Sequence, residues 1–159
     1  MYIDYLNIPS IPLEYLENID DVRNKPFVTD TPFNGKFKLK DVDQSLVDYI
    51  QTLFPFEVSC RYQFVYQGLP IHVDFKDNVG RKIAINYLLD TGGNNVTTNI
   101  YDRQFRIVES KCLELHRWHY IRTDQLHDVK NIDNTVRIAL SIGGNEELES
   151  FINQNSGTP

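Results

Sequence analysis

A histidine and a carboxylate stand two residues apart at His72-Val73-Asp74, within an apolar run that is typical of a β-strand. Side chains alternate along a strand, so His72 and Asp74 share one face, roughly 7 Å apart. An imidazole and a carboxylate in this arrangement can bind the same metal ion. A lone triplet of this kind also fits a solvated histidine and aspartate at a strand end.

A second histidine and an arginine favour the metal interpretation. His127 follows Asp74 by 53 residues, and Arg137 follows His127 by ten. Two histidines and one carboxylate fill three adjacent positions of a six-coordinate ferrous ion and leave three open for substrates. The arginine guanidinium is always charged and can hold a carboxylate by two parallel hydrogen bonds. Together, the four residues suit an iron site beside an anion site.

The order H-x-D, then H, then R, at these spacings, resembles that of the Fe(II)/2-oxoglutarate-dependent oxygenases, in particular their prolyl 4-hydroxylase-like branch. The resemblance covers residues 62–142, roughly half of the chain. The strand after the triplet carries Tyr87-Leu88 and the following turn Gly92-Gly93, as in the family. Leu89 replaces the asparagine that is usual there.

The resemblance implies a role for each of these residues. The ligands of Fe(II) would be His72, Asp74 and His127. Arg137 would pair with the distal carboxylate of 2-oxoglutarate, the co-substrate consumed together with O2. Tyr87 and Tyr62 would donate hydroxyl hydrogen bonds to the same co-substrate, although strand tyrosines also occur in cores with the hydroxyl at the rim.

Departures from the family pattern narrow the chemistry. Ala139 stands where some members carry a serine, so the co-substrate carboxylate has one partner fewer. Asp74 is retained, whereas related halogenases have a small residue there, and hydroxylation is therefore favoured over halogenation. The nucleic-acid demethylases of the superfamily resemble R-x-N-x-T-x-R before their last arginine, and Asn131 and Asp133 depart from that motif.

Charge excludes a mainly electrostatic nucleic-acid binder. The chain has 16 Lys and Arg against 22 Asp and Glu, a formal net charge of −6. Binding through phosphates needs a basic surface, so no nucleic-acid partner is expected.

The 159 residues are enough for one domain with one core. No stretch is long enough to span a membrane, and residues 1–21 lack the basic and unbroken apolar regions of a signal peptide. Cys60 and Cys112 form no metal-binding or disulfide pattern and are predicted as free thiols, which favours a cytoplasmic protein. The oligomeric state is not predicted.

Apolar periodicity predicts a helix over residues 41–54, ended by Pro55. Runs of β-branched and aromatic residues predict seven strands, over 58–67, 69–75, 82–89, 96–101, 105–108, 118–122 and 136–142. We expect a mainly β, cupin-like jelly-roll, a double-stranded β-helix, with N-terminal helices packed on its larger sheet. Residues 1–56 would be mostly helical or irregular support, 57–143 the jelly-roll core, and 144–159 a C-terminal tail with a short helix over 146–153.

The last predicted strand has two different faces. The apolar face, expected to pack on the 41–54 helix, consists of Val136, Ile138, Leu140 and Ile142. The other face, which suits a cavity wall, consists of Thr135, Arg137, Ala139 and Ser141. A further histidine pair, His116 and His119, points to opposite sides of a strand and is interpreted as structural or surface-exposed, and Trp118 as a core residue.

The expected function is hydroxylation of a C–H bond in a peptidyl, prolyl-like substrate, with release of succinate and CO2. The same chemistry on a free small molecule is one alternative. A non-catalytic, metal-binding jelly-roll module is another. Substrate contacts are expected from residues 27–40 and 90–97.

Overall fold

A computed structural model describes residues 1–28, 36–133, 136–143 and 147–156. Within these ranges the helices are α1 Ile19–Asn24, α2 Gln44–Gln51 and α3 Glu147–Asn155, and a short 3-10 turn covers Leu13–Tyr15. The strands are β1 Ile3–Tyr5, β2 Phe37–Asp41, β3 Ser59–Tyr66, β4 Leu69–His72, β5 Phe75–Lys76, β6 Val79–Gly80, β7 Ile83–Asp90, β8 Thr97–Tyr101, β9 Ile107–Lys111, β10 Trp118–Arg122, β11 Leu126–Lys130 and β12 Val136–Gly143.

Two antiparallel sheets form the predicted jelly-roll. The larger sheet has the strand order β1-β10-β7-β12-β3-β2, and the smaller has the order β4-β11-β8-β9. Neighbours within each sheet are mostly far apart in sequence, and residues of both sheets share the interior, as with Ile100 and Ile121 in one apolar cluster. Strands β5 and β6 form a separate hairpin between β4 and β7. The mainly β, double-stranded β-helix fold is confirmed.

The outer face of the larger sheet carries the helices. Leu46 and Ile50 of α2 are buried in the same apolar cluster as Ile138, Leu140 and Ile142 of β12, so the predicted helix and its predicted strand face do pack together. The helix is shorter than expected because Asp41 belongs to β2, and Asp43 is the N-cap of α2.

The C-terminal helix closes one end of this core. The Phe151 ring of α3 lies 5.2 Å from the Phe54 ring and 5.5 Å from the Phe56 ring, centroid to centroid. The short C-terminal helix predicted from the sequence is thus present as α3. The supporting segment 1–56 likewise contributes β1 and β2, the two edge strands of the larger sheet.

Three strand predictions need correction. Residues 105–108 were expected to be a strand, but Asp102 accepts hydrogen bonds from the amides of Gln104 and Arg106, which closes a turn, and β9 starts only at Ile107. The predicted strand 69–75 ends at His72 and resumes as β5. None of the predicted strands covers β1, β6 or β11.

Both cysteines are free, as predicted, with Cys60 buried and Cys112 exposed. Among the helices of the described ranges, none is long and apolar enough to cross a membrane.

Candidate active site

Strands β4 and β11 bring the three predicted metal ligands together. His72 and His127 are cross-strand partners, and their ring centroids are 4.2 Å apart. Asp74 Oδ1 lies 3.3 Å from His72 Nε2 and 3.8 Å from His127 Nε2. Ligand atoms of the three residues all lie within 4.8 Å of one another, and no other group of three or more His, Cys, Asp or Glu in the described residues is that close.

Hydrogen bonds orient both imidazoles for metal binding. His72 Nδ1 lies 2.7 Å from the Pro70 carbonyl oxygen, and His127 Nδ1 lies 2.8 Å from that of Gln125. A carbonyl can only accept, so each Nδ1 carries a proton, and Nε2 is the nitrogen of each ring that would bind a metal ion. Both Nε2 atoms face Asp74, so the donor set fits a divalent metal ion.

Asp74 lies in a bend outside the strand on which it was predicted. Its amide donates to the Thr123 carbonyl at 2.8 Å, which fixes the backbone against the loop before β11. The β5–β6 hairpin then folds back so closely that a Cβ on Gly80 would lie 1.8 Å from the Asp74 carbonyl oxygen. The φ of Gly80 is also +100°, so no other residue can replace Gly80 unless this backbone moves.

The charges at the three residues favour an ionised carboxylate beside a neutral imidazole. Burial raises the pKa of Asp74, but the hydrogen bond with His72 and the charge of Arg81 outweigh it and hold this pKa below its ordinary value. Burial lowers the pKa of His127. Burial also lowers the pKa of His72, but its hydrogen bonds with Asp74 and the Pro70 carbonyl raise it on balance. A bound metal ion would replace the proton shared with Asp74.

A cavity of about 420 Å³ lies between the two sheets and contains this cluster. Apolar side chains of both sheets line it, including Val65, Ile121 and Val129. Its polar lining, besides the three candidate ligands, includes Gln63, Arg81, Asn86, Thr98 and Arg137. The predicted wall formed by Arg137 and Ala139 is therefore a cavity wall, while Thr135 lies outside the described residues.

Arg137 is a buried cation that faces this cavity. It is 6% exposed, and its Nη1 donates to Thr98 Oγ1 at 3.0 Å. Burial lowers the pKa of Arg137 to about 10, so the guanidinium stays charged at neutral pH. No carboxylate among the described residues forms an ion pair with it. A buried charge needs a partner, so the end of a dicarboxylate fits this position.

The Gly92-Gly93 turn fixes the position of Arg137. Gly92 has a φ of +80°, and a Cβ there would lie 2.9 Å from the Arg137 backbone nitrogen and 3.1 Å from its Cβ.

The residues expected to contact substrate are only partly described: Phe37 lines the cavity, and 29–35 lie outside the described ranges.

The two predicted tyrosines lie on the wrong face of the larger sheet. Tyr62 and Tyr87 both pair with Leu140, which faces the helices, whereas Arg137 faces the cavity. Because side chains alternate along a strand, neither hydroxyl can reach the anion site. The Tyr62 hydroxyl donates to the Glu17 carboxylate instead.

Tyr87 is equally committed to the helix side, where its hydroxyl accepts the Ile11 amide at 3.2 Å. The other histidines are placed as interpreted: His116 is exposed, and His119 is fully buried, which lowers its pKa to about 3. Trp118 is buried beside Tyr87 and Phe54, as predicted for a core residue.

Sequence reasoning missed Arg81, Asn86, Gln63 and Thr98 in the cavity lining. Their positions follow from alternation once Arg137 is placed: Gln63 pairs with Ala139, and Asn86 pairs with Ser141, both on the Arg137 face of β12. The alternation of side chains along β3, β7 and β12 was therefore the sequence pattern that could have identified Gln63 and Asn86. Arg81 follows a two-residue hairpin turn at Asp77-Asn78 that was not recognised.

Comparisons with known proteins add support for the fold. No protein-family profile and no curated protein matches the sequence. Among solved structures, the chain is similar to a prolyl hydroxylase from Trichoplax adhaerens in complex with a hypoxia inducible factor oxygen degradation domain peptide fragment. The TM-score is 0.52 and the identity 16%, over 82% of this chain and 70% of that chain. The chain shares the fold of this hydroxylase.

A second similar structure is an oxidoreductase of the 2OG-Fe(II) oxygenase family from Burkholderia pseudomallei. Its TM-score is 0.48 and its identity 8%, over 78% of this chain and 74% of that chain. The fold implied by the H-x-D, H and R residues is confirmed by the similarity to the Trichoplax structure.

Substitution of Gly92 by alanine is expected to disturb the anion site selectively. The new Cβ would press on the Arg137 backbone, and a left-handed alanine costs about 1–2 kcal/mol of folding free energy. We expect weaker 2-oxoglutarate binding with little change in Fe(II) affinity, measured by anaerobic titration. Gly143→Ala is the matched control because its Cβ would press only on the movable Ser59 hydroxyl and would lie at ordinary contact distance, 3.8 Å, from the Ser59 carbonyl oxygen. Equal effects of both variants would contradict this role for Gly92.

Replacement of either tyrosine by phenylalanine tests the corrected placement. Tyr62→Phe and Tyr87→Phe should leave 2-oxoglutarate affinity unchanged, because both hydroxyls bond on the helix side. Tyr62→Phe should lower the free energy of unfolding by about 1–2 kcal/mol, since it leaves the Glu17 carboxylate without its phenol donor. Urea unfolding and 2-oxoglutarate titration measure the two effects. A large loss of 2-oxoglutarate affinity in either variant would show that the hydroxyl of that tyrosine reaches the cavity.

Proposed function

We propose that this protein is an Fe(II)- and 2-oxoglutarate-dependent dioxygenase that hydroxylates a C–H bond of a peptidyl, prolyl-like substrate. One observation carries the proposal: a His-Asp-His cluster with both Nε2 atoms turned inward shares one cavity with a buried arginine that forms no ion pair with a carboxylate in the described ranges. Neither feature stabilises the fold by itself, because clustered ligands and buried charges both cost desolvation energy.

The residues of the cavity divide into two groups in this proposal. The iron would be held by His72, Asp74 and His127. Arg137, steadied by Thr98, would bind the distal carboxylate of 2-oxoglutarate. Bound iron and 2-oxoglutarate together supply the activation of O2, one oxygen atom of which ends in succinate and the other in the new substrate hydroxyl, while CO2 is released.

The remaining side chains of the cavity orient the reactants and exclude water. Val65, Ile121 and Val129 surround the polar groups with apolar surface. In such surroundings the attraction between the Arg137 guanidinium and a carboxylate is stronger than in water. The position of the guanidinium is set by the turn at Gly92, so the co-substrate would be held in one orientation relative to the three ligands.

One comparison supports a peptide as the substrate, without indicating which peptide. The similar prolyl hydroxylase was solved with a peptide fragment bound. A cavity of about 420 Å³ lies near the lower end of ligand pockets, which span roughly 300–1,000 Å³. That volume suits the co-substrate and a single inserted side chain, with the rest of a peptide outside. A free small molecule is the alternative substrate.

Binding of the two cofactors should be visible in the absorption spectrum. Under anaerobic conditions, Fe(II) and 2-oxoglutarate are expected to give a metal-to-ligand charge-transfer band, which His72→Ala and His127→Ala abolish. Arg137→Ala should weaken 2-oxoglutarate binding by about 2–5 kcal/mol, since it removes a buried charged partner, and spare Fe(II) binding. A colourless mixture in the unaltered protein would refute the proposal, and loss of iron in Arg137→Ala would refute the role of Arg137.

Turnover separates the dioxygenase from a non-catalytic metal-binding module. We expect succinate release from 2-oxoglutarate in the presence of O2, stimulated by proline-containing peptides and accompanied by a mass increase of one oxygen on the peptide. Matched peptides with the proline replaced by alanine serve as controls. Metal and 2-oxoglutarate binding without any succinate would favour the binding module. Stimulation by free amino acids but not by peptides would favour a small-molecule substrate.

A further inference from the structure

Arg81 connects the candidate metal site to the larger sheet. Its Nη2 lies 3.3 Å from Asp74 Oδ2, and its Nη1 donates to Ser141 Oγ at 3.0 Å. The side chain lines the cavity and is 35% exposed. Ser141 is on the face of β12 that also carries Arg137. One guanidinium therefore spans from the candidate ligand Asp74 to the strand of the candidate anion site.

The two carboxylate oxygens of Asp74 have different partners. Oδ1 faces the two imidazoles, 3.3 Å from His72 Nε2 and 3.8 Å from His127 Nε2. Oδ2 is turned toward Arg81. A carboxylate can bind a metal through one oxygen or through both, and binding through both takes a second coordination position. The bond to Arg81 leaves only Oδ1 directed at the histidines.

The surroundings of Arg81 fix this geometry. The Gly80 backbone packs directly against the Asp74 carbonyl and pairs with Phe75, so the start and end of the β5–β6 hairpin are held side by side. The Thr123 hydroxyl donates to the Arg81 carbonyl at 2.8 Å, which anchors the residue itself. Arg81 thus reaches Asp74 from a backbone held at two points.

We propose that Arg81 is a positioning residue that makes Asp74 a one-oxygen ligand. By holding Oδ2, it keeps three positions of a six-coordinate metal open, two for a co-substrate that chelates through a carboxylate and a keto oxygen and one for O2, and a second Asp74 oxygen would compete for them. The inference rests on the proposed function in that it requires a metal ion at His72, Asp74 and His127. It adds a role for a residue outside the ligand set.

The pair Arg81–Asp74 is partly exposed, so it contributes little to folding stability and can be removed without unfolding the chain. Arg81→Met removes all donors and keeps much of the side-chain volume. Arg81→Lys restores one donor for Oδ2. Ser141→Ala is the matched control, because it removes the other partner of the guanidinium and leaves Asp74 untouched.

The experiment uses Co(II) as the probe metal in the full chain, followed by titration of the Co(II)-loaded protein with 2-oxoglutarate. For Arg81→Met we expect Co(II) affinity no weaker than in the unaltered protein. Asp74 Oδ2 becomes free to bind the metal, and the positive charge of Arg81, which repels Co(II), is removed. The visible Co(II) spectrum should change in position or intensity. The affinity for 2-oxoglutarate should fall at least about tenfold. Arg81→Lys should recover most of that loss, and Ser141→Ala should resemble the unaltered protein.

Each other outcome counts against a specific claim. An unaltered Co(II) spectrum with unaltered 2-oxoglutarate affinity in Arg81→Met overturns the role of Arg81 and leaves the proposed function intact. Loss of Co(II) binding together with a lowered melting temperature shows a purely structural role and also overturns it. Failure of the unaltered protein to bind Co(II) or Fe(II) overturns the proposed function, and this inference with it.

Discussion

The antiparallel pairing of β4 with β11 is the constraint on which the site depends. It sets His72 opposite His127 across neighbouring strands, with ring centroids 4.2 Å apart, although the residues are far apart in sequence. Asp74 joins them only because the chain bends after β4 and is tied to Thr123 by a backbone hydrogen bond. A shift of one residue in the β4–β11 register would turn His127 to the outer face and leave Asp74 beside a single imidazole. Register, more than the identity of any one ligand, therefore makes the cluster.

The larger sheet contributes the cavity through a contrast between its faces. On the helix side, large side chains such as Tyr62, Tyr87 and Leu140 fill the core. On the inner side, Ala84 and Ala139 are small, and the space they leave belongs to the cavity. The same alternation that separates these faces assigns Arg137 to the cavity and both tyrosines to the core.

The site was more predictable from sequence than the elements that support it. The set His72, Asp74, His127 and Arg137 could be predicted because its residue types and spacings resemble a family pattern, and the fold does bring the first three together. Motif position alone predicts the wrong role for the tyrosines, because strand alternation puts Tyr62 and Tyr87 on the face opposite to Arg137. The sequence does not predict β11 because Asp128, on the face of the strand opposite to His127, is a residue type typical of loops. Asp128 is fully buried, and hydrogen bonds from Asn99 and Tyr101 stabilise it there, a tertiary effect that no local pattern encodes.

The interior between the sheets contains several buried polar side chains, and those that line the cavity lie near the candidate ligands. Besides Arg137, the cavity-facing strands carry Asn86, and its cross-strand neighbour His119 lies beside it. Asn86 Oδ1 and His119 Nε2 are buried without a hydrogen-bond partner among the described residues. Buried polar atoms of this kind cost folding free energy that apolar residues at the same positions would not. The helix-side core, with its aromatic contacts around Phe54, is where the fold gains stability to offset that cost. One face of the larger sheet is thus filled by packing against the helices, and the other lines the cavity.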